Sequence, residues 1–162
     1  MRTVEHKYDF VVVGAGLAGI AAAVTAARKG IKTALVQDRP VLGGNASTEI
    51  RVPPVGATQC NFAYSRETGI IEELFLNNLL RNPTWSSQGW NIELENLVRN
   101  EPNIDLYLNT AVCDVATKDE PGKSAINDEV EIVSVKAYCA MAETWFIFNA
   151  DYFADCSGDG IV

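Results

Sequence analysis

The feature that most constrains this chain is a glycine-rich turn between an apolar run and a helix of small residues. Residues 10–13 read Phe-Val-Val-Val, and residues 14–19 read Gly-Ala-Gly-Leu-Ala-Gly. A continuous β-branched run that enters such a turn is typical of a buried parallel strand followed by a helix packed on the sheet. The pattern predicts a strand over 8–13, a helix over 17–29 and a second strand over 32–37, which is the start of a parallel α/β fold.

The spacing of the three glycines in this turn predicts a dinucleotide site. Gly14 permits the tight turn, Gly16 leaves the backbone open to a pyrophosphate, and Gly19 lets the helix pack close to the strand. The N–H groups of the first helical turn would then face the phosphates. The cofactor-binding residues predicted here are Gly14, Ala15, Gly16, Leu17, Ala18 and Gly19. The alternative is a glycine turn that joins the two elements without a ligand.

The end of the second strand departs from the usual dinucleotide pattern. An acidic residue about 20 positions after the turn usually binds the ribose hydroxyls, but Gln37 stands at that position and Asp38 follows it. An amide can donate and accept hydrogen bonds without a charge. Either side chain can therefore contact the ribose, and Gln37 is the preferred candidate.

Two further stretches carry a family resemblance. Residues 38–52 read DRPVLGGNASTEIRV, and residues 154–160 read ADCSGDG. The chain resembles the FAD-dependent oxidoreductases of the glutathione-reductase-type two-dinucleotide-binding fold, in particular a bacterial subfamily with a GGNAS-x-EIRV stretch. The family usually has Ala-Thr-Gly-Asp-Gly in place of the second stretch, so Cys156 and Ser157 are small replacements. The cofactor implied by the resemblance is FAD.

The resemblance also implies roles for individual residues. Those placed near the flavin and pyrophosphate are Gly43, Gly44, Asn45, Ala46, Ser47, Ser157, Gly158 and Asp159. Arg51 would face the flavin or the substrate, and Val112 would contact the adenine through its backbone. The alternatives are an ion pair with Glu49 or another acid for Arg51, helix capping for Ser47, a plain turn for the Gly-Asp-Gly motif and core packing for Val112.

The remainder of the chain predicts a helical insertion followed by an antiparallel meander. Residues 51–103 read as a loop with two helices, and after them the apolar period changes to two. Helices are predicted over 69–80 and 91–99, and strands over 104–108, 111–117, 130–137, 144–149 and 152–155. The fold class expected is α/β, a Rossmann-like FAD-binding domain with a parallel sheet, a helical insertion and a β-meander over 130–149. Because the resemblance covers only the N-terminal part of such proteins, we expect 1–162 to be one domain that is truncated before the substrate domain and exposes apolar surface.

Composition excludes several other classes of function. The net charge of −8 makes nucleic acid and anionic membrane surfaces poor partners. The four cysteines form no C-x-x-C pair and there is one histidine, His6, so we expect no metal site and free, buried or semi-buried thiols in a reducing compartment. The uncharged stretch 10–27 fits a strand and a packed helix better than a membrane span. These features favour a cytoplasmic protein.

The sequence supports one main hypothesis of function and one alternative. The first is the FAD-binding domain of a flavin-dependent oxidoreductase that transfers a hydride to or from an unknown small-molecule substrate. The alternative is a module that binds NAD or an ADP-ribose-like nucleotide, or a fragment without redox activity. No residue is nominated as a catalytic acid or base, and His6 is expected on the surface. A missing C-terminal domain and a second copy are the two alternatives for a protein partner, and the isolated chain is not expected to turn over a substrate.

Overall fold

A computed structural model describes residues 1–59, 65–118 and 130–162 of the protein. Within these residues, eight strands form two four-stranded sheets, accompanied by three α-helices. The strands are β1 Arg2–Lys7, β2 Phe10–Val13, β3 Thr33–Val36, β4 Ile104–Tyr107, β5 Thr110–Thr117, β6 Ile132–Cys139, β7 Thr144–Asn149 and β8 Tyr152–Asp155. The helices are α1 Leu17–Arg28, α2 Gly69–Arg81 and α3 Ser87–Arg99.

The first sheet is parallel and has the strand order β4-β3-β2-β8. Its central strand β2 pairs with β3 and β8 in one register, so that Val11 lies between Ala34 and Phe153. Val11 and Ala34 are fully buried, as expected of strands covered on both faces. Because all four strands run in the same direction, their carboxyl ends meet at one edge of the sheet.

The three helices cover one face of the parallel sheet. Ile20 and Val24 of α1, Leu74 of α2 and Leu94 of α3 share a single apolar core with Val12 and Leu35 of the sheet. The small residues of α1 let it pack closely on the strands. Three large apolar side chains of α2 nevertheless remain exposed, namely Leu76, Leu79 and Leu80.

The second sheet has the order β1-β7-β6-β5 and covers the opposite face. Val112, Val135, Ala137 and Phe148 pack there against residues of β2 and β3. The meander over 130–149 was predicted, whereas β1 was not. Residues 2–7 alternate with charged side chains and gain strand structure only by parallel pairing with β7, a partner more than 130 residues away in the sequence.

The start of α3 also differs from the prediction. The sequence predicts a helix from residue 91, but α3 begins at Ser87, because the Ser86 hydroxyl accepts a hydrogen bond from the Gly89 N–H at 3.0 Å. A serine N-cap is a recognised start signal, and its side chain is held in turn by Asn82. The other predicted strands and helices occur with shifts of a few residues at their ends. Cys60 and residues 119–129, between the predicted strands over 111–117 and 130–137, lie outside the described residues.

The uncharged stretch over 10–27 is divided between β2 and α1. Among the described residues, no helix has both the length and the apolar character that crossing a membrane requires.

Candidate functional site

A cleft of about 540 Å³ opens at the edge where the parallel strands end. Its volume is within the range of small-molecule and cofactor sites, and this edge is where open α/β sheets bind ligands. Six segments line it: the glycine turn, the end of β3, the Gly-Gly segment, residues 52–54, the start of β5 and the stretch after β8. The predicted residues that line it are Gly14, Gly16, Leu17, Ala18, Gln37, Asp38, Gly43, Gly44, Asn45, Ala46, Val112, Ser157 and Asp159.

Two of the glycines in the turn are required by packing inside the protein. A Cβ at Gly14 would overlap the backbone of Cys156, and Gly14 also has a φ of +94° that suits only glycine. A Cβ at Gly19 would overlap the carbonyl oxygen of Gly14. These contacts bring β2, α1 and the end of β8 together. Gly19 is buried and does not line the cleft.

The third glycine faces open space. A Cβ at Gly16 would meet no protein atom within 4 Å, although Gly16 lines the cleft and has ordinary extended backbone angles. Gly16 is also the N-cap of α1, which has no side-chain cap and no acidic residue in its first turn. Backbone N–H donors at this helix end are left for a ligand, and the helix dipole favours an anion there. This geometry fits the pyrophosphate of a dinucleotide.

Gln37 is held rigidly at the carboxyl end of β3. Its N–H donates to the carbonyl of Tyr107 at 2.8 Å, and its carbonyl accepts from Thr110 at 2.9 Å. The side-chain oxygen Oε1 accepts from the N–H of Ala15 at 2.6 Å. Gln37 is 4% exposed, whereas the neighbouring Asp38 is exposed. Ala15 is fully buried and therefore belongs to the support of the cleft rather than to its lining.

The Gly-Gly segment is joined to the glycine turn through the backbone. The Gly43 N–H donates to the Ala15 carbonyl at 2.8 Å, and Gly43 has a φ of +105°. A Cβ at Gly43 would come within 2.7 Å of Leu94 in α3. A short 3₁₀ turn follows at Gly44–Ala46. The close approach of Gly43 to Leu94 means that α3 supports one wall of the cleft.

Two residues of this segment lie outside the cleft. Ser47 is 1% exposed, and its hydroxyl accepts a 3.3 Å hydrogen bond from the Glu49 N–H within a local turn, so it caps no helix. Arg51 is exposed, and its Nε donates to the Thr48 carbonyl at 2.9 Å. Glu49 pairs with Arg39 rather than with Arg51, at 3.5 Å.

The stretch after β8 is organised by the Asp155 carboxylate. Oδ1 accepts from the Ser157 N–H and hydroxyl at 2.9 and 2.5 Å, and Oδ2 accepts from the Val162 N–H at 2.9 Å. The Ser157 hydroxyl in turn accepts from the Asp159 N–H at 3.1 Å. Burial would raise the pKa of Asp155, but the hydrogen bonds from Ser157 and from the backbone N–H groups outweigh it and keep that pKa below its usual value. Gly158 has a φ of +84° and shapes this turn without lining the cleft.

Ten lining residues were not predicted to bind the cofactor. They are Val13, Val36, Arg39, Val52, Pro53, Pro54, Thr110, Ala111, Cys156 and Ile161. Most are immediate neighbours of predicted residues, so a wider window around each motif would have included them. Pro53 and Pro54 carry no such motif signal.

A second cavity, of about 470 Å³, lies away from the cleft and includes His6, Tyr8, Lys32, Asp105 and Tyr107 in its lining. The Tyr8 hydroxyl donates to Asp105 Oδ2 at 2.7 Å and is also 2.7 Å from the Tyr107 hydroxyl. Since Tyr8 has one proton, the Tyr107 hydroxyl is the donor to Tyr8. Burial, together with the hydrogen bond that Tyr8 donates to Asp105, raises the pKa of Tyr8 above its ordinary value.

Two expectations about single residues need correction. His6 was expected on the surface, but it is half-buried, with ring contacts to Tyr8, Tyr107, Phe146 and Phe148. Its place in β1, which the sequence did not indicate, brings it there. The thiols of Cys113, Cys139 and Cys156 are free, but Cys113 is exposed rather than buried. Burial and the nearby Asp155 charge raise the pKa of Cys156.

The parallel sheet, the glycine turn and the cleft at the strand ends define a Rossmann-like dinucleotide-binding domain. The sequence model of the family described as FAD dependent oxidoreductase matches residues 9–162. The chain belongs to this family, and its cofactor is FAD.

Curated relatives match a short part of the chain. A soluble pyridine nucleotide transhydrogenase of Marinobacter nauticus is 46% identical over 43 residues, which are 26% of this chain and 9% of that protein. A digeranylgeranylglycerophospholipid reductase of Picrophilus torridus is 56% identical over 39 residues, or 24% of this chain and 10% of that protein. The matched part is about a tenth of the length of these relatives.

Solved structures resemble nearly the whole chain. The THI4 protein of Thermovibrio ammonificans has a TM-score of 0.61 with 16% identity, covering 96% of this chain and 60% of that one. The FrdA chain of Escherichia coli quinol fumarate reductase has a TM-score of 0.61 with 16% identity, covering 96% and 33%. At this identity the likeness supports the fold.

Proposed function

We propose that residues 1–162 form the FAD-binding domain of an oxidoreductase that transfers a hydride to or from a small-molecule substrate. The observation that carries the proposal is the open backbone at Gly16, placed at the uncapped N-terminus of α1 in the cleft. A strand–turn–helix unit built only for packing would not need this glycine, because an alanine fits there without a clash. A pyrophosphate does need it.

Each wall of the cleft has a proposed role. Gly16, Leu17 and Ala18 contact the pyrophosphate, Gln37 and Asp38 the ribose, and the backbone of Val112 the adenine. The remaining lining groups proposed for the flavin half are Gly43, Gly44, Asn45, Ala46, Ser157 and Asp159. Gly14, Ala15, Gly19, Ser47 and Gly158 hold these segments in place. Arg51 can reach the flavin or substrate side only if the hydrogen bond from its Nε to the Thr48 carbonyl is broken.

The chemistry divides between cofactor and protein. FAD, when bound, supplies the hydride acceptor or donor. This chain binds the dinucleotide, fixes its orientation and closes the backbone around its phosphates. We propose that a further domain or a second copy binds the substrate and supplies the group that moves its proton. A cytoplasmic location is proposed on the same footing, from the acidic composition and the free thiols.

A second candidate function is a nucleotide-binding module that takes NAD or ADP-ribose without redox work of its own. The replacement of the usual ribose-binding acid by Gln37 favours it. Asp159 distinguishes the two functions, because it lines the cleft beyond the glycine turn. We expect Asp159→Ala to weaken FAD binding roughly tenfold and to leave ADP-ribose binding unchanged. Equal losses for the two ligands would favour the second candidate.

Titration of the chain with FAD and with ADP-ribose, followed by calorimetry, tests the proposal. Gly16→Val places a branched side chain where the phosphates would lie, so we expect at least about a hundredfold loss of affinity for both ligands. Thr25→Val is the matched control, because it puts the same side chain on an exposed position of α1. Both variants should keep the circular dichroism spectrum and the melting temperature of the parent chain.

Two results would contradict the proposal. Undiminished FAD affinity in Gly16→Val would show that the phosphates do not bind at this turn. An equal loss in Thr25→Val would mean that the effect arises from the helix and not from the cleft.

A further inference from the structure

We infer that the outer face of helices α2 and α3 is the interface through which two copies of this chain form a symmetric dimer. This surface, the hairpin patch, consists of five exposed apolar residues: Leu76, Leu79, Leu80, Trp85 and Ile92. Each is more than half exposed, from 55% for Leu79 to 77% for Leu80. Single apolar residues are normal on a surface, but a group that lies together marks an interaction site. None of the five lines the cofactor cleft, so the inference is independent of the proposed function.

The five residues lie together because the two helices form one hairpin. A turn of five residues, 82–86, joins α2 to α3, and the two helices pack against each other around a shared apolar core. Leu76, Leu79 and Leu80 share one face of α2, since residues three and four positions apart are neighbours on a helix. Leu76 and Ile92 are equally far in sequence from the middle of the turn, which places them at the same level of an antiparallel pair. Both lie opposite the buried residues of their own helix.

Trp85 is held outward by a rigid turn. Its backbone has a φ of +52°, a left-handed conformation that a bulky residue rarely adopts. The buried Asn82 side chain fixes the turn, since its Nδ2 donates to the Asn78 side chain at 2.9 Å and to the Ser86 carbonyl at 2.8 Å. The Trp85 N–H donates to the Asn82 carbonyl at 2.9 Å. A tryptophan that is fixed before association loses little conformational entropy, and tryptophan is enriched among the residues that contribute most to interfaces.

The charges of the hairpin favour a second copy as the occupant. All six charged residues of α2 and α3 form ion pairs within the chain, at 2.5 to 3.1 Å: Glu72 with Arg66, Glu73 with Arg28, Arg81 with Glu93, and Arg99 with Glu95. Within these two helices, no charge is left unpaired, although the chain carries a net charge of −8. Two copies of a face with one net sign would repel each other, and a charged partner requires an unpaired rim of the opposite sign. A neutral apolar face instead matches a second copy of itself.

A two-fold axis lets the hairpin patch meet itself. In such a dimer both copies use the same surface, so that each patch removes the other from water. A stable interface buries about 800 Å² on each partner, with an apolar centre inside a polar rim. The patch supplies the centre, and the paired charges of the two helices supply the rim. With one tryptophan and four aliphatic side chains on each copy, we expect a dissociation constant of roughly 1–50 µM.

Sedimentation velocity of the full chain over roughly 1–200 µM tests the inference. We expect the sedimenting mass to rise with concentration from that of a monomer towards that of a dimer. Leu80→Glu places a carboxylate at the most exposed position of the patch and should weaken dimerisation at least about tenfold, because each dimer would bury two like charges. Met141→Glu is the matched control, since Met141 is 81% exposed and lies in the turn between β6 and β7. It should dimerise as the parent chain does, and both variants should keep the circular dichroism spectrum.

Salt provides a second readout. Dimerisation should strengthen slightly at high salt, because salt screens the repulsion between two acidic chains and leaves the apolar contact in place. The inference is overturned if the parent chain stays monomeric at the highest concentration, if Leu80→Glu dimerises as the parent does, or if Met141→Glu weakens the dimer equally. A dimer that dissociates at high salt would also overturn it, since charged groups elsewhere would then hold the two copies together.

Discussion

The two cavities of this protein have similar volumes, about 540 and 470 Å³, but opposite constructions. The cleft at the strand ends is lined largely by backbone and small side chains, and its helix end has no cap. The second cavity is lined by larger side chains, both polar and apolar, and three of them bond to one another in the relay from Tyr107 through Tyr8 to Asp105. The helix end in the cleft has backbone N–H groups left for a ligand, whereas the three side chains of the relay bond to one another.

The comparison teaches that cavity size alone does not identify a site. Polar groups that satisfy each other stabilise the packing of two sheets, because buried donors and acceptors need partners. Backbone groups at a helix N-terminus that no side chain caps are available for a ligand. Mutations should therefore separate the two regions, with binding lost from the cleft and stability lost from the other cavity.

The largest effect is expected inside the glycine turn, where one glycine is needed for packing and another is left open for a ligand. Gly19→Ala should destabilise the fold by roughly 3–5 kcal/mol, because its Cβ would overlap the Gly14 carbonyl. Gly16→Ala is the matched control, since the same methyl group meets open space there and should leave the free energy of unfolding nearly unchanged. Denaturant unfolding measures both. Similar losses in the two variants would mean that the turn is tight throughout and that Gly16 is not kept for a ligand.

A smaller effect is expected in the second cavity. Tyr8→Phe removes the donor to Asp105 and the acceptor for Tyr107, which should cost about 1–3 kcal/mol of stability. The affinity for FAD should stay within twofold of the parent chain, because these groups lie outside the cleft. Thermal unfolding and FAD titration on one preparation give both numbers. A large loss of affinity without a loss of stability would reverse the roles of the two cavities.

The smallest effect expected is a pH dependence at the rim of the cleft. The pKa of Asp155 is lowered in the folded protein, so its carboxylate stabilises the fold in full above the unfolded pKa of about 3.9. This stabilisation is lost as the pH falls through the lower pKa of the folded state. FAD affinity should therefore decline in acid as the hydrogen bonds to Ser157 and Val162 weaken. Asp155→Asn should show weaker binding at neutral pH and a flatter acid profile. An unchanged profile in that variant would place the acid dependence elsewhere.

The sequence predicted most of what local patterns determine. The strand, the turn and α1 follow from a β-branched run, the spacing of glycines and a stop at Gly30, and these signals act within a few residues. The Gly-Gly segment and the Gly-Asp-Gly turn were found by resemblance, and their lining residues lie in one cleft.

What the sequence could not predict depends on partners far along the chain. Strand β1 forms because β7 pairs with it, and the bond from Tyr8 to Asp105 joins residues 97 positions apart. The anchoring of Gln37 on Ala15 spans 22 positions and cannot be read from either residue alone. Arg51 stood in a motif and still lies outside the cleft, since its backbone has a φ of +64° and its Nε bonds to Thr48.

The most direct test of the central claim is an absorption spectrum of the purified chain after incubation with FAD and removal of unbound cofactor. Heat treatment and mass spectrometry of the released nucleotide would follow. The account predicts flavin absorption bands that stay with the protein, FAD in the heated supernatant, and neither in Gly16→Val. A colourless parent chain that takes up no FAD would contradict the claim that this cleft holds the cofactor of the family.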